Sequence, residues 1–173
     1  VDYIKEFKMK MKKVLISLIF LFLLTTNVKA MSMAPTGTSK GGRGSDIEIY
    51  LTLNRTSSEK EVSGIDGVLS YDNNVLTLKS QSNLLATSNW TELSPVSNGE
   101  LFSYANLSLN NLIKDTSKNI VKLTFTINAN AAYGNTNLVV SNLNATDING
   151  DSIAITGGTH TLSILSSINT LSS

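Results

Sequence analysis

The sequence predicts an all-β protein, a sandwich of two sheets that follows an N-terminal export signal. Three observations support this prediction. Many short runs alternate apolar and polar side chains, turn residues separate these runs, and no stretch after residue 30 keeps a helical apolar period, with the short segment 107–113 as the one possible exception. Short strands joined by turns are typical of antiparallel sandwiches, which bury one face of each sheet.

The alternation also predicts which side of each strand faces the core. In segment 120–129 every second residue is apolar, and in segment 62–71 the odd-numbered positions form one face. Asp66, Val68 and Ser70 therefore point the other way. Further strands are predicted at 47–53, 75–78, 101–107, 137–143 and 160–165. The residues predicted for the core are Leu69, Tyr71, Leu76, Leu123, Phe125 and Ile127.

The first 30 residues have the three-part layout of a secretory signal peptide. Lysines at 10, 12 and 13 precede an apolar run over 14–24, and Val28 and Ala30 form a cleavage site after Ala30. The run is shorter than the roughly 20 residues that span a bilayer, although an uncleaved anchor remains the alternative. Residues 1–8 resemble an over-extended start before Met9 or Met11. We therefore predict a secreted or cell-surface protein that meets the membrane only during export.

The rest of the chain divides into three parts. Residues 31–45 are small, polar and glycine-rich, and this composition predicts a flexible lead-in. Residues 46–165 contain all the predicted strands and form one domain. Residues 166–173 are interpreted as a linker or as the start of a truncated following domain.

The composition argues against several classes of function. The chain has no cysteine and one histidine, His160, so the usual zinc ligand sets cannot be assembled. No G-x-S-x-G elbow accompanies His160, and a strand histidine is the simpler interpretation. The net charge of +1 depends on lysines in the first 30 residues, so no basic surface for nucleic acid is predicted. We expect a binding or scaffolding module and not an enzyme.

Two weaker features remain as alternatives. Asp147, Asn149 and Asp151 place oxygen ligands at alternate positions as in part of a calcium loop, but Asn149-Gly150 is also the strongest hairpin signal in the chain. We favour the hairpin and expect no cofactor. Trp90, the only tryptophan, could stack on a sugar ring if it were exposed, whereas a buried anchor is the commoner role of an indole.

Several segments in order resemble a cohesin domain, the module of cellulosome scaffolds that captures dockerins. The segment 62–78 (VSGIDGVLSYDNNVLTL) resembles the family's strand, Tyr-Asp turn and following Val-Leu strand. Segments 101–106, 113–127 and 131–153 resemble later parts of the family pattern, and together they cover nearly all of 46–165. The resemblance implies a jelly-roll sandwich of about nine strands. Cellulose-binding modules share this superfamily, so polysaccharide binding through Trp90 stays open as the alternative function.

The resemblance also implies a partner-binding face. The family's recognition Asp falls on Asp66, and the implied face carries Asp66, Val68 and Ser70 with Asn106 nearby. Its expected partner is a dockerin-like protein module. The chain departs from the pattern at Gly64, where the family has Asn, and at Gly67, where a large apolar residue would be expected to fill the core.

Overall fold

A computed structural model of the chain describes residues 31–86 and 89–166. The predicted signal segment and the tail from 167 onward lie outside the described residues. Twelve strands run through the described part: β1 (Met31–Gly37), β2 (Lys40–Gly42), β3 (Asp46–Asn54), β4 (Gly64–Ser70), β5 (Leu76–Asn83), β6 (Trp90–Ser94), β7 (Leu101–Asn106), β8 (Ser117–Ile127), β9 (Gly134–Thr146), β10 (Ser152–Ile153), β11 (Ile155–Gly157) and β12 (Thr159–Leu165). Over the same residues, no helix is long and apolar enough to cross a membrane.

The strands form two sheets that pack face to face. The first sheet has the order β11-β1-β3-β8-β5, and the second has the order β2-β12-β9-β4-β7-β6, with β10 paired to β9. Most pairs are antiparallel, and β1 with β11 and β12 with β2 are parallel. Three of the twelve strands have only two or three residues. The remaining nine, arranged in two sheets, confirm the predicted sandwich.

The core lies between the sheets and follows the predicted alternation. Leu69, Leu76, Leu123, Phe125 and Ile127 are all fully buried, as predicted. Tyr71 is half-buried and packs against the core, with its ring 4.9 Å from that of Phe125 in an edge-to-face arrangement. Burial also raises the pKa of the Tyr71 hydroxyl. The inward and outward sides of β4 and β8 are therefore those that the alternation predicts.

The prediction of a flexible lead-in at 31–45 is wrong. Residues 31–37 and 40–42 are strands, and Met31 and Met33 are fully buried. β1 pairs with β3 over six positions and with β11 over three. Pro35 lies beyond the β11 pairing, where β1 has a neighbour on one side only and the missing N–H of proline is tolerated. Pairing with β3 and with the distant strand β11 thus overrides the local composition.

Gly67 does not leave the core loose, because other side chains fill the space. A Cβ atom at Gly67 would lie 2.6 Å from Cδ2 of Leu143 and 2.8 Å from Cζ of Phe102. Phe102, on the paired strand β7, is fully buried. The register of β4 against β9 shifts between Asp66 and Val68, a bulge that brings Leu143 against the core. Phe102 and Leu143 thus occupy the space in which a larger side chain at position 67 would lie.

Candidate functional site

The outward faces of the two sheets differ in how their charges are arranged. On the first sheet, Lys79 pairs with Asp46 at 2.5 Å and Lys122 pairs with Glu48. These lysines hold the pKa values of the Asp46 and Glu48 carboxyls below their usual range, chiefly through the side-chain hydrogen bonds. In each of these ion pairs, the lysine ammonium and the carboxylate of the same surface satisfy each other. The first sheet therefore presents a face whose charges are already satisfied.

The second sheet presents an outward face with little charge and several apolar groups. Asp66 is the only charged residue in its three central strands, β9, β4 and β7. Leu101 at the start of β7 is 55% exposed, and Leu93 in the edge strand β6 is 56% exposed. Soluble proteins rarely leave such groups together on a surface without a binding role. We call the outward side of β9, β4, β7 and β6 the Asp66 face.

Asp66 lies near the middle of this face. It is half-buried and pairs with Ser103 on β7 and with Asn144 on β9. The Ser103 hydroxyl donates a hydrogen bond of 2.5 Å to Oδ1 of Asp66. Among the described residues, Oδ2 has no hydrogen-bond partner. The serine orients the carboxylate and leaves one oxygen free to accept a hydrogen bond from a partner.

The structure places Val68 and Ser70 on the same side as Asp66, as predicted. Val68 is half-buried and pairs with Leu101 and Ser141, and Ser70 is exposed. Val68 and Leu101 give the Asp66 face an apolar area beside its carboxylate. That a partner binds there stays a prediction. Sequence reasoning missed Leu101 as a member of this face, although its pairing with an outward position of β4 follows once β7 is known to lie beside β4.

The prediction that Asn106 lies on this face is wrong. Asn106 is 2% exposed and shares the inward side of β7 with Phe102 and Tyr104. Its side-chain amide donates to the carbonyl of Asn110, and its Oδ1 accepts a hydrogen bond of 3.1 Å from the Ser108 hydroxyl. The residue therefore holds the loop that follows β7. The family resemblance implies an outward position for Asn106, whereas the alternation of β7 puts it on the inward side with Phe102 and Tyr104.

The prediction of Trp90 as a possible exposed sugar platform is also wrong. Trp90 begins strand β6, is 3% exposed, and donates from Nε1 to the Asn111 carbonyl at 3.3 Å. The interpretation of Trp90 as a buried anchor is confirmed. A second inward group, Glu92, accepts a hydrogen bond of 2.8 Å from the hydroxyl of Tyr104. Burial, with this carboxylate, strongly raises the pKa of Tyr104, so the tyrosine acts only as a neutral donor.

The segment with the calcium-like pattern forms the hairpin between β9 and β10. Gly150 has a φ of 81°, and Oδ1 of Asp147 accepts from the backbone N–H groups of Asn149 and Asp151 at 2.9 Å. The ammonium of Lys60 lies 2.5 Å from Oδ2 of Asp147 and 3.3 Å from Oδ2 of Asp151. Within 31–86 and 89–166, no group of three or more His, Cys, Asp or Glu residues is arranged to hold a metal. The positive charge beside the carboxylates of Asp147 and Asp151 is thus that of Lys60.

His160 has a structural position in the strand that was predicted for it. It is half-buried in β12, and its Nε2 lies 2.9 Å from the carbonyl oxygen of Thr38. This contact ties β12 to the turn between β1 and β2. An N–H on Nε2 satisfies this geometry, because the carbonyl oxygen can only accept.

Comparison with known proteins identifies the fold and the family. Residues 32–164 match the Cohesin domain, which is more than half of the chain. The chain belongs to the cohesin family. No curated protein matches the sequence significantly.

Solved cohesin structures share the sandwich at low identity. CaCohA2 from Clostridium acetobutylicum is 20% identical, with a TM-score of 0.63 over 80% of this chain and 92% of that one. A non-cellulosomal cohesin from Archaeoglobus fulgidus is 19% identical, with a TM-score of 0.60 over 80% and 94%. The third ScaB cohesin of R. flavefaciens, solved with a group 1 dockerin, is 16% identical, with a TM-score of 0.62 over 79% and 95%. These likenesses show the fold of this cohesin.

Proposed function

We propose that this cohesin is a non-catalytic capture module of an extracellular or cell-surface protein, and that it binds a dockerin-type protein module through the Asp66 face. The observation that carries the proposal is the contrast between the two outward faces. The first sheet pairs its lysines with Asp46 and Glu48. The Asp66 face has one carboxylate, with one oxygen unused, beside exposed leucines.

This arrangement suits recognition of a folded protein surface. Central apolar contact supplies binding free energy, and a single oriented carboxylate supplies direction and selectivity. Asp66 would accept a hydrogen bond from a Ser or Thr hydroxyl, or from a Lys or Arg, of the dockerin. Val68 and Leu101 would give apolar contact beside it. No aromatic side chain of β4 or β7 is exposed, so nothing on this face favours the polysaccharide alternative.

The test is isothermal titration calorimetry of the purified domain against dockerin modules encoded in the same genome. At least one module should bind, and Asp66→Ala should weaken that binding by about 2–5 kcal/mol, the usual cost of truncating a desolvated interfacial carboxylate. The fold should be retained, since the substitution removes one hydrogen bond, that from the Ser103 hydroxyl, and such a bond contributes about 0.5–1.5 kcal/mol.

Asp46→Ala is the matched control. Asp46 is also a strand carboxylate that accepts a hydroxyl hydrogen bond, at 2.7 Å from Thr126, but it lies on the first sheet. Affinity should be unchanged in this variant. Equal loss of affinity in both variants would exclude the Asp66 face, and absence of binding by every module would exclude the capture function.

A further inference from the structure

The chain contains two Asn-Gly pairs, Asn98-Gly99 and Asn149-Gly150. Both lie in turns, and the glycines have φ values of 75° and 81°. Asparagine before glycine is chemically labile, because the next backbone nitrogen can attack the side-chain amide and glycine has no Cβ to obstruct the approach. The dipeptide alone therefore gives both pairs the same reactivity, and any difference between them must come from the fold.

Both polar atoms of the Asn98 side chain are held by the backbone of Tyr71. Its Oδ1 accepts a hydrogen bond of 2.9 Å from the Tyr71 N–H, and its Nδ2 donates one of 3.0 Å to the Tyr71 carbonyl. The nitrogen of Gly99 is also bound, because it donates at 2.8 Å to the carbonyl of the fully buried Leu69. Attack of Gly99 on the Asn98 amide would require all three hydrogen bonds to break. The fold thus protects this pair.

The Asn149 side chain has no such restraint. Asn149 is exposed at the tip of the hairpin between β9 and β10, and within 31–86 and 89–166 only its backbone N–H, not its side chain, makes a hydrogen bond. The nitrogen of Gly150 donates to the Asp147 carbonyl at 3.0 Å, which is the hydrogen bond of the turn itself. Exposed turns open locally at a low cost in free energy. The two reacting groups can therefore meet without disturbing either sheet.

We propose that Asn149 is a site of spontaneous deamidation in the folded protein, whereas Asn98 is protected. The nitrogen of Gly150 gives up its proton to hydroxide and bonds to Cγ of Asn149. The bond from Cγ to Nδ2 then breaks, and Nδ2 leaves as ammonia after taking a proton from water. Water opens the resulting cyclic imide at either carbonyl and leaves aspartate or isoaspartate at position 149. The reaction consumes only water, and it is independent of the proposed capture function.

The product adds a negative charge to a hairpin that already carries two carboxylates. Asp147 and Asp151 lie on either side of position 149, and the Lys60 ammonium is the positive charge beside them. Isoaspartate also adds a carbon atom to the main chain of this turn, which the Asp147 N–H closes by donating to the Asp151 carbonyl at 2.9 Å. Modified chains should therefore separate as a more acidic species in ion-exchange chromatography.

The test compares the two pairs within one sample of the folded protein. After incubation at mildly alkaline pH, the protein is denatured and digested with trypsin, which cuts after lysine and arginine. Asn98 and Asn149 then lie in separate peptides, 80–114 and 123–173, and fragmentation in a mass spectrometer assigns each modification to its residue. Deamidation should be at least about tenfold faster at Asn149 than at Asn98, because the hydrogen bonds that hold Asn98 must open before it can react.

Incubation in urea that unfolds the protein is the matched control, since it removes the contacts of both pairs. The two sites should then react at similar rates. In the folded protein, Asn149→Gln should abolish the acidic species, because the longer side chain of glutamine closes a ring less readily. Equal rates at Asn98 and Asn149 in the folded protein would overturn the proposal. Protection of Asn149 over a period in which the unfolded chain reacts at both sites would also overturn it, and aspartate without isoaspartate would exclude the imide.

Discussion

Replacing Gly67 by alanine tests whether the side chains of Leu143 and Phe102 fill the space beside Gly67. The new Cβ would lie 2.6 Å from Cδ2 of Leu143 and 2.8 Å from Cζ of Phe102, whereas carbon atoms in contact prefer about 3.5–4.0 Å. Both groups would have to retreat by about 1 Å. Leu143 has a flexible end, but Phe102 is fully buried in a close-packed core. We expect Gly67→Ala to lower the free energy of unfolding by about 1–3 kcal/mol, the usual cost of overpacking.

The assay is equilibrium urea unfolding followed by the fluorescence of Trp90, the only tryptophan of the chain and one that is 3% exposed. Gly42→Ala is the control, because a Cβ at Gly42 would meet nothing within 4 Å. That variant should change stability by less than about 0.5 kcal/mol or increase it slightly. Adding Phe102→Leu to Gly67→Ala should give less destabilisation than the sum of the two single changes. If Gly67→Ala and Gly42→Ala are equally stable, the account of how Phe102 fills the space is refuted.

Two further predictions concern the Lys60 contact and export. Lys60 lowers the pKa of the Asp147 carboxyl, mainly through their hydrogen bond, so this contact stabilises the fold above the ordinary aspartate value of 3.8 and is lost as pH falls through the folded-state pKa. The gap in thermal midpoint between wild type and Lys60→Met should be full at pH 7 and should shrink below about pH 4, and a gap independent of pH would contradict this. After expression in a secreting bacterium, N-terminal sequencing should find Met31 first, because the predicted cleavage follows Ala30. An intact Met9 or Met11 on the exported protein would show an anchor instead.

Alternation along the strands was enough to predict most of the fold. On β4, Ile65 and Leu69 face the core while Asp66 and Val68 face out, as their period of two requires. The same holds on β8, where Phe125 is fully buried. A one-residue slip would expose every apolar group on such a strand, so the hydrophobic effect specifies its orientation from local sequence alone.

The first strand could not be predicted in that way. Segment 31–37 contains Pro35 and small polar residues, and its composition indicates a flexible segment. Met31 is nevertheless buried, because β3 and β11 lie on either side of this end of the strand. One of these partners, β11, is more than 100 residues away along the chain, and no local pattern encodes its pairing with β1.

The sequence by itself determined the sandwich class, the core side of the long strands and the outward position of Asp66. Tertiary structure decided that Asn106 and Trp90 are buried, and that Leu93, Leu101 and Asp66 share one face. The reason is that alternation reports which side of a strand is apolar but carries no information about which strands become neighbours. That choice depends on contacts summed over both sheets, and it alone brings residues from separate parts of the chain onto one surface.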